Sequence, residues 1–76
     1  MDTNITNENP HACSFTELSI RYNPHLCVKS CRRILFEWIE YNMPLSAELG
    51  ATGWNRKNRM LTPMQVSIIY RFLGEP

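Results

Sequence analysis

Two groups of basic side chains are the residues of this chain best suited to binding a ligand. The first lies in the run CVKSCRRILFEWIEYN, residues 27–42, whose apolar spacing is that of a helix with one buried face. Its outward residues over the first two turns are Lys29, Ser30, Arg32 and Arg33. Arginine can read guanine through a bidentate fork, while lysine and serine bind phosphates. The pattern therefore predicts contact with an anion, with nucleic acid as the leading candidate.

The charges along this run oppose the helix macrodipole, because the basic residues come first and Glu37 and Glu40 follow. A helix prefers the reverse order by about 0.3 to 1 kcal/mol per charge. A break of a local rule is a reason to consider a function. The alternative is a solvated face, in which Arg33 pairs with Glu37 one turn later.

The second basic group follows Trp54 in the polar segment 53–61 and consists of Arg56, Lys57 and Arg59. Beside a DNA-binding helix, such a loop could act as a wing that grips phosphate. The alternative, which we favour for Trp54, is that this residue anchors the core, because a small core cannot spare a large aromatic side chain. The function of the three bases stays open.

Metal binding and catalysis have little support in the sequence. Cys27 and Cys31 lie one helical turn apart, which is a poor match to the ligand spacing of structural zinc sites. We interpret both as small buried apolar residues, and His11, Cys13 and His25 add no recognisable ligand set. No catalytic pair or phosphate-binding glycine loop is present, so we expect no enzyme, cofactor or metal.

Four helices are predicted to position these residues. Ser14 and Glu17 form a capping box before a helix at 15–22, and Asn23-Pro24 ends it. The long helix 27–42, a short helix 45–51, and a helix from Pro63 to the Gly74 stop follow. The fold class is all-α: a small four-helix domain, its first two helices arranged like a helix-turn-helix, with a loop or small hairpin at 53–61.

Helical spacing also predicts which residues form the core. The expected core residues are Phe15, Leu18, Tyr22, Cys27, Cys31, Ile34, Leu35, Trp38, Ile39, Leu45, Leu49, Met64, Ile68, Ile69, Phe72 and Leu73.

Length and composition indicate one small domain. With 76 residues, the chain should have a flexible N-terminal tail at 1–13 and one domain at 14–76. An odd number of cysteines, three, and no secretory signal favour a cytoplasmic protein with reduced thiols. The apolar runs are too short to span a membrane, and the net charge of +1 is mild for a nucleic-acid binder.

Several short motifs carry a family resemblance. These are Glu17-Leu18-Ser19, Tyr22-Asn23-Pro24, the run 38–42 WIEYN, the run 61–66 LTPMQV and the final Leu-Gly-Glu-Pro. They resemble short uncharacterised Bacteroidetes proteins of a domain-of-unknown-function family with a Thr-Pro-x-Gln-Val helix and a Leu-Gly-Glu-Pro C-terminus. The resemblance covers about residues 14–76, and it implies no activity. Cys27-Val28 departs from the polar cap and proline expected there.

Two functional hypotheses follow. The first is a non-enzymatic, helix-turn-helix-like DNA-binding or regulatory protein that contacts duplex DNA as a homodimer or with a protein partner. The second is a protein-interaction adaptor, whose exposed patch would contain Ile20, Tyr41, Met43, Met60 and Tyr70. A continuous basic face joining both basic groups would favour the first hypothesis, and two basic groups on opposite sides would favour the second. No small-molecule substrate or membrane partner is expected.

Overall fold

The computed structural model of the chain describes residues 11–76, so most of the predicted tail lies outside the described residues. In chain order the elements are β1 (Cys13–Ser14), α1 (Phe15–Tyr22), α2 (Val28–Tyr41), α3 (Met43–Ala51), β2 (Met60–Leu61) and α4 (Pro63–Leu73). The predicted small four-helix domain is confirmed, with the addition of a two-stranded sheet.

Capping boxes begin the first and last helices, as predicted. At α1 the Ser14 hydroxyl accepts from the Glu17 amide at 2.9 Å, and the Glu17 carboxylate accepts from the Ser14 amide at 3.1 Å. At α4 Thr62 and Gln65 make the same pair of bonds, at 3.2 and 3.0 Å. Gly74 ends α4 with a φ of 83°, a backbone conformation that residues other than glycine adopt only at an energetic cost. These local signals set the first residue of both helices and the last residue of α4, while packing of the buried faces stabilises the helices themselves.

The middle two helices meet at Asn42. This residue ends α2, and its side-chain oxygen accepts from the Leu45 amide at 3.2 Å, which caps α3. The predicted start of α3 at Leu45 is therefore wrong by two residues, because Pro44 fits inside the first turn, where its missing N–H costs nothing. Cys27 stands just before α2 and provides no side-chain cap.

Of the two alternatives predicted for residues 53–61, the loop is correct as far as residue 59 and the hairpin is wrong. β2 instead pairs antiparallel with β1 from the start of the domain, with Cys13 opposite Leu61 and Ser14 opposite Met60. The Phe15 amide extends this pairing by donating to the Arg59 carbonyl at 2.8 Å. Cys13, placed by sequence at the end of the tail, is only 7% exposed and packs with the domain.

The core lies where the four helices and β2 meet. Its fully buried side chains are Phe15, Leu18, Ser19, Cys31, Leu35, Ile39, Leu45, Leu49, Leu61, Val66 and Ile69. Ser19 is tolerated there because its hydroxyl donates to the Phe15 carbonyl at 2.7 Å. Tyr22, Phe72 and Leu73 are partly buried against this core.

Some predicted core residues lie at the surface. Cys27 is exposed because it precedes α2 and so does not share the buried face of that helix. Trp38 is 38% exposed and makes an edge-to-face contact with Tyr22, at 5.9 Å between ring centroids, and Ile34 is only half-buried. Met64 is exposed and Val66 takes its place inside, because the buried face of α4 is shifted from the predicted one.

Tyr22 connects α1 to the chain end, since its hydroxyl donates to the Gly74 carbonyl. Burial raises the pKa of the Tyr22 phenol above its ordinary value of 10.0, and neighbouring Tyr70 adds to the effect. Because folding favours the neutral phenol, we expect stability to be unaffected by this group below pH ~10 and to fall as pH rises through that value. Urea unfolding at pH 8 and pH 11 measures this loss.

The Tyr22→Phe variant is the control for this prediction. It lacks the hydroxyl, so it should be about 1 kcal/mol less stable than the unaltered chain at pH 8. The difference should shrink at pH 11, because the variant has no phenol at this position to ionise and so shows the smaller alkaline loss. Equal alkaline losses in the two proteins would contradict the assignment to Tyr22.

Candidate nucleic-acid interface

The half-buried ring of Phe36 on α2 brings the two predicted basic groups together. The guanidinium carbon of Arg32 lies 6.0 Å from the ring centroid, and that of Arg56 lies 4.8 Å from it. Both distances are in the range of cation–π contacts. Phe36 is itself held by stacking on buried Phe15, with 4.3 Å between the centroids. The core therefore supports the surface on which these two arginines lie.

A cavity of about 350 Å³ opens next to Phe15, the residue on which Phe36 stacks. Its lining consists of Ser14, Phe15, Thr16, Arg32 and Arg59. Arg59 reaches it because the β1–β2 pairing and the bond from the Phe15 amide to the Arg59 carbonyl hold the loop against the start of α1. Arg32 reaches it from the second turn of α2. We call Arg32, Arg56, Arg59 and the cavity the basic face.

The other predicted site residues lie around this face or apart from it. Lys29 is exposed one turn before Arg32, whereas Ser30 is half-buried and accepts from the Cys27 thiol at 3.3 Å. Arg33 forms the predicted ion pair with Glu37, at 3.4 Å. Lys57 is exposed, and its amide donates to the Asn55 side chain at 2.8 Å. Ser30, Arg33 and Lys57 do not line the cavity.

Carboxylates offset only part of the charge of the basic face. Glu40, one turn after Phe36, pairs with Arg56 at 3.1 Å. Within residues 11–76, no carboxylate forms an ion pair with Arg32 or Arg59. The guanidinium groups that line the cavity are thus the ones whose charge is left for a ligand.

Trp54 anchors the basic loop to the core, as favoured from sequence. It is half-buried, and its ring centroid lies 6.3 Å from those of both Phe15 and Phe36. This aromatic group fixes where the following residues, including Arg56, leave the core.

Sequence reasoning missed Ser14, Thr16 and Phe36 as parts of the site. Ser14 was assigned only to the cap, and Thr16 gave no signal of its own. Phe36 could have been found, because it follows Arg32 by four residues and so lies on the same side of the helix. No local pattern could have shown that Arg59 approaches the start of α1 and the same cavity as Arg32.

The apolar patch proposed for an adaptor is partly exposed. Tyr41 and Met43 at the junction of α2 and α3 are 81% and 73% exposed, and Ile20 and Met60 are exposed as well. Tyr70 is only 8% exposed, and its hydroxyl accepts from Arg21, so its inclusion in the patch is wrong.

The three cysteines are unpaired, with Cys13 and Cys31 buried and Cys27 exposed. Across residues 11–76, no cluster of three or more His, Cys, Asp or Glu side chains is placed to hold a metal ion. In the same part of the chain, none of the helices has the length and apolar character needed to cross a membrane.

Comparison with known proteins gives one relationship. No significant match to this chain was found among curated proteins or among solved structures. A family model described as a domain of unknown function, DUF4248, matches residues 11–76. This range contains the whole described domain, including β1, all four helices and the basic face. The chain therefore belongs to the DUF4248 family.

Proposed function

We propose that this chain is a non-enzymatic nucleic-acid-binding protein that contacts duplex DNA through its basic face. One observation carries the proposal: Arg32 on α2 and Arg59 in the loop before β2 line the same cavity, although they are distant in sequence. Arg56 reinforces it by sharing the Phe36 ring with Arg32. Convergence of bases from separate segments is typical of a phosphate-contacting surface.

The arrangement of α1 and α2 is compatible with a helix-turn-helix-like mode. Residues 23–27 connect the two helices, and Lys29 and Arg32 stand on the first two turns of α2. In this mode the start of α2 contacts the major groove, while Arg56 and Arg59 contact the neighbouring backbone. A single module of this size covers little DNA, so a homodimer or a protein partner would complete the contact and give a regulatory role.

The test is binding of the full chain to duplex DNA at several salt concentrations. Each phosphate contact adds about 0.9 to the salt slope, so replacing both Arg32 and Arg59 by Gln should lower the slope by up to about 2. We also expect the affinity at low salt to fall by about tenfold or more. Fluorescence anisotropy of a labelled duplex measures both quantities.

A second double variant provides a control of equal charge. Arg33→Gln with Lys57→Gln removes the same two charges from residues outside the cavity. It should lose clearly less affinity and slope than the Arg32/Arg59 variant. Equal losses in the two variants would mean that binding depends on net charge alone and not on the basic face, which would contradict the proposal. The absence of any salt-dependent binding by the unaltered chain would overturn it outright.

A second candidate is a protein-interaction adaptor that docks a partner through Tyr41 and Met43. The observation that favours it is the high exposure of these two large side chains at one helix junction. A folded chain that ignores DNA at all salt concentrations would favour this candidate over the first.

A further inference from the structure

We propose that the cavity lined by Arg32, Arg59, Ser14 and Thr16 is a binding site for a phosphate monoester. The inference deepens the proposed function, on which it rests for the use of the same two arginines. Its chemistry is nevertheless separable from duplex binding. The ligand could be the phosphorylated end of a nucleic acid or a small phosphorylated molecule, and the experiment below distinguishes these sources.

The polar side chains that line the cavity can all donate hydrogen bonds, and no carboxylate is among them. Arg32 and Arg59 supply two guanidinium groups, which bind phosphate oxygens with fixed, fork-like geometry. The Ser14 hydroxyl oxygen accepts from the Glu17 amide, so its own hydrogen remains available to a ligand. Within residues 11–76 the Thr16 hydroxyl has no hydrogen-bond partner and adds a second such donor.

Charge and volume favour a monoester over a diester. A phosphate monoester carries about −1.5 to −2 charges near pH 7 and three strong acceptor oxygens, which match two guanidinium groups. An internal phosphodiester has one charge and a substituent on each side. The cavity volume of about 350 Å³ is at the lower end of the range of small-ligand pockets. It suits a phosphate with the first part of its attached group.

The helix start is not the source of the proposed affinity. Three of its amides are already used: Ser14 donates to Glu17, Glu17 donates to the Ser14 hydroxyl, and Phe15 donates to the Arg59 carbonyl. The Glu17 carboxylate, held next to Ser14, opposes an anion there. Binding therefore depends on the arginines, and removal of the Glu17 charge should strengthen it.

The experiment is a titration of the ¹⁵N-labelled full chain with inorganic phosphate, followed by NMR at constant ionic strength. We expect saturable shifts of the Thr16 amide and of the Arg32 and Arg59 side-chain Nε signals. Arg32→Gln and Arg59→Gln should each weaken binding by about three- to tenfold. The matched controls Arg33→Gln and Lys57→Gln, which alter exposed bases outside the cavity, should leave binding unchanged.

The Glu17→Gln variant tests the same site in the opposite direction. Glutamine serves as the third helical residue in the second capping box of this chain, at Gln65, so the α1 cap should survive. Without the carboxylate, phosphate should bind about two- to fivefold more tightly. A purely structural effect of altering the α1 cap would not tighten phosphate binding.

Two further ligands identify the source of the phosphate. If an oligonucleotide with a 5′-phosphate binds better than its 5′-hydroxyl counterpart and Arg59→Gln removes the difference, the ligand is a nucleic-acid end. If a nucleoside 5′-monophosphate binds as tightly as that oligonucleotide, the site takes small phosphorylated molecules.

A phosphate response that does not saturate, or that is unchanged in both the Arg32→Gln and Arg59→Gln variants, overturns this inference while leaving salt-dependent DNA binding intact. Saturable phosphate binding without duplex binding overturns only the proposed function. Dispersed NMR spectra of each variant establish that it is folded.

Discussion

Replacing Phe15 by Ala is expected to destabilise the folded chain by about 3 to 5 kcal/mol. The Phe15 side chain is fully enclosed, stacks on Phe36 and lies 6.3 Å from Trp54 between ring centroids. Its removal would leave a cavity below the basic face that the surrounding backbone cannot close. Since the core of so small a domain supplies only about 3 to 5 kcal/mol of stability, most of the variant should be unfolded at 37 °C. Urea unfolding followed by circular dichroism at 25 °C measures the loss.

The same change at Phe72 provides the matched control. Phe72 is only half-buried near the end of α4, so Phe72→Ala should cost clearly less than Phe15→Ala. Phe15→Leu retains most of the apolar volume and should remain folded with an intermediate loss. If Phe15→Ala were as stable as Phe72→Ala, the stacked aromatic group could not be the support of the site.

Replacing Gln65 by Ala is expected to cost about 2 to 3 kcal/mol, although Gln65 is polar. Its side-chain oxygen accepts from the Thr62 amide at 3.0 Å, and its nitrogen donates to the Thr52 hydroxyl at 2.9 Å. The residue is buried, so truncation leaves these groups without partners and removes packed volume. The bond to Thr52 connects α4 to the end of α3. Chemical unfolding measures the loss of stability in the variant.

The Gln65→Glu variant shows which of the two bonds matters. The Thr52 hydroxyl already donates to the Leu49 carbonyl at 2.6 Å, so it can only accept from residue 65. A carboxylate there would meet an acceptor and lie buried, so we expect this variant to be as unstable as Gln65→Ala at pH 7. Protonation should recover stability as pH falls towards the ordinary glutamate pKa of about 4.3. A Gln65→Glu variant with full stability at pH 7 would contradict this account.

The two capping boxes provide an internal comparison. Glu17 occupies the position of Gln65 at the other box, but it is exposed and, among residues 11–76, makes no hydrogen bond outside its own turn. Glu17→Gln should therefore change the free energy of unfolding by no more than about 1 kcal/mol. The difference between the two sites measures what burial adds to a cap.

The start and end of the helices could be read from the sequence wherever a local bond sets them. Ser14 with Glu17, Thr62 with Gln65, and Gly74 specify helix ends through hydrogen bonds or backbone preferences within a few residues. Such interactions depend little on the rest of the chain, so the pattern is sufficient. The predicted start of the third helix was less accurate, because Pro44 is compatible either with a break between helices or with the first turn of a helix.

The predictions of burial were correct at the centre of the helix faces and wrong at their margins. Helical spacing identified Cys31, Leu35 and Ile39 as core, but it also included Cys27 and Trp38, which are exposed. The apolar spacing of a helix indicates which side faces the core. How far burial extends around the helix depends on the neighbours that pack against it. At the margin, Trp38 makes an edge-to-face contact with the half-buried Tyr22 ring.

By itself, the sequence determined the four helices, the caps of the first and last of them and the two groups of bases that could bind an anion. Only the tertiary structure decided that the strand at Met60–Leu61 pairs with Cys13–Ser14, and with it that Arg59 and Arg32 line the same cavity. The physical reason is range. A cap or a helix period acts over a few residues, whereas the pairing of two short strands depends on the whole core that brings both ends of the domain together.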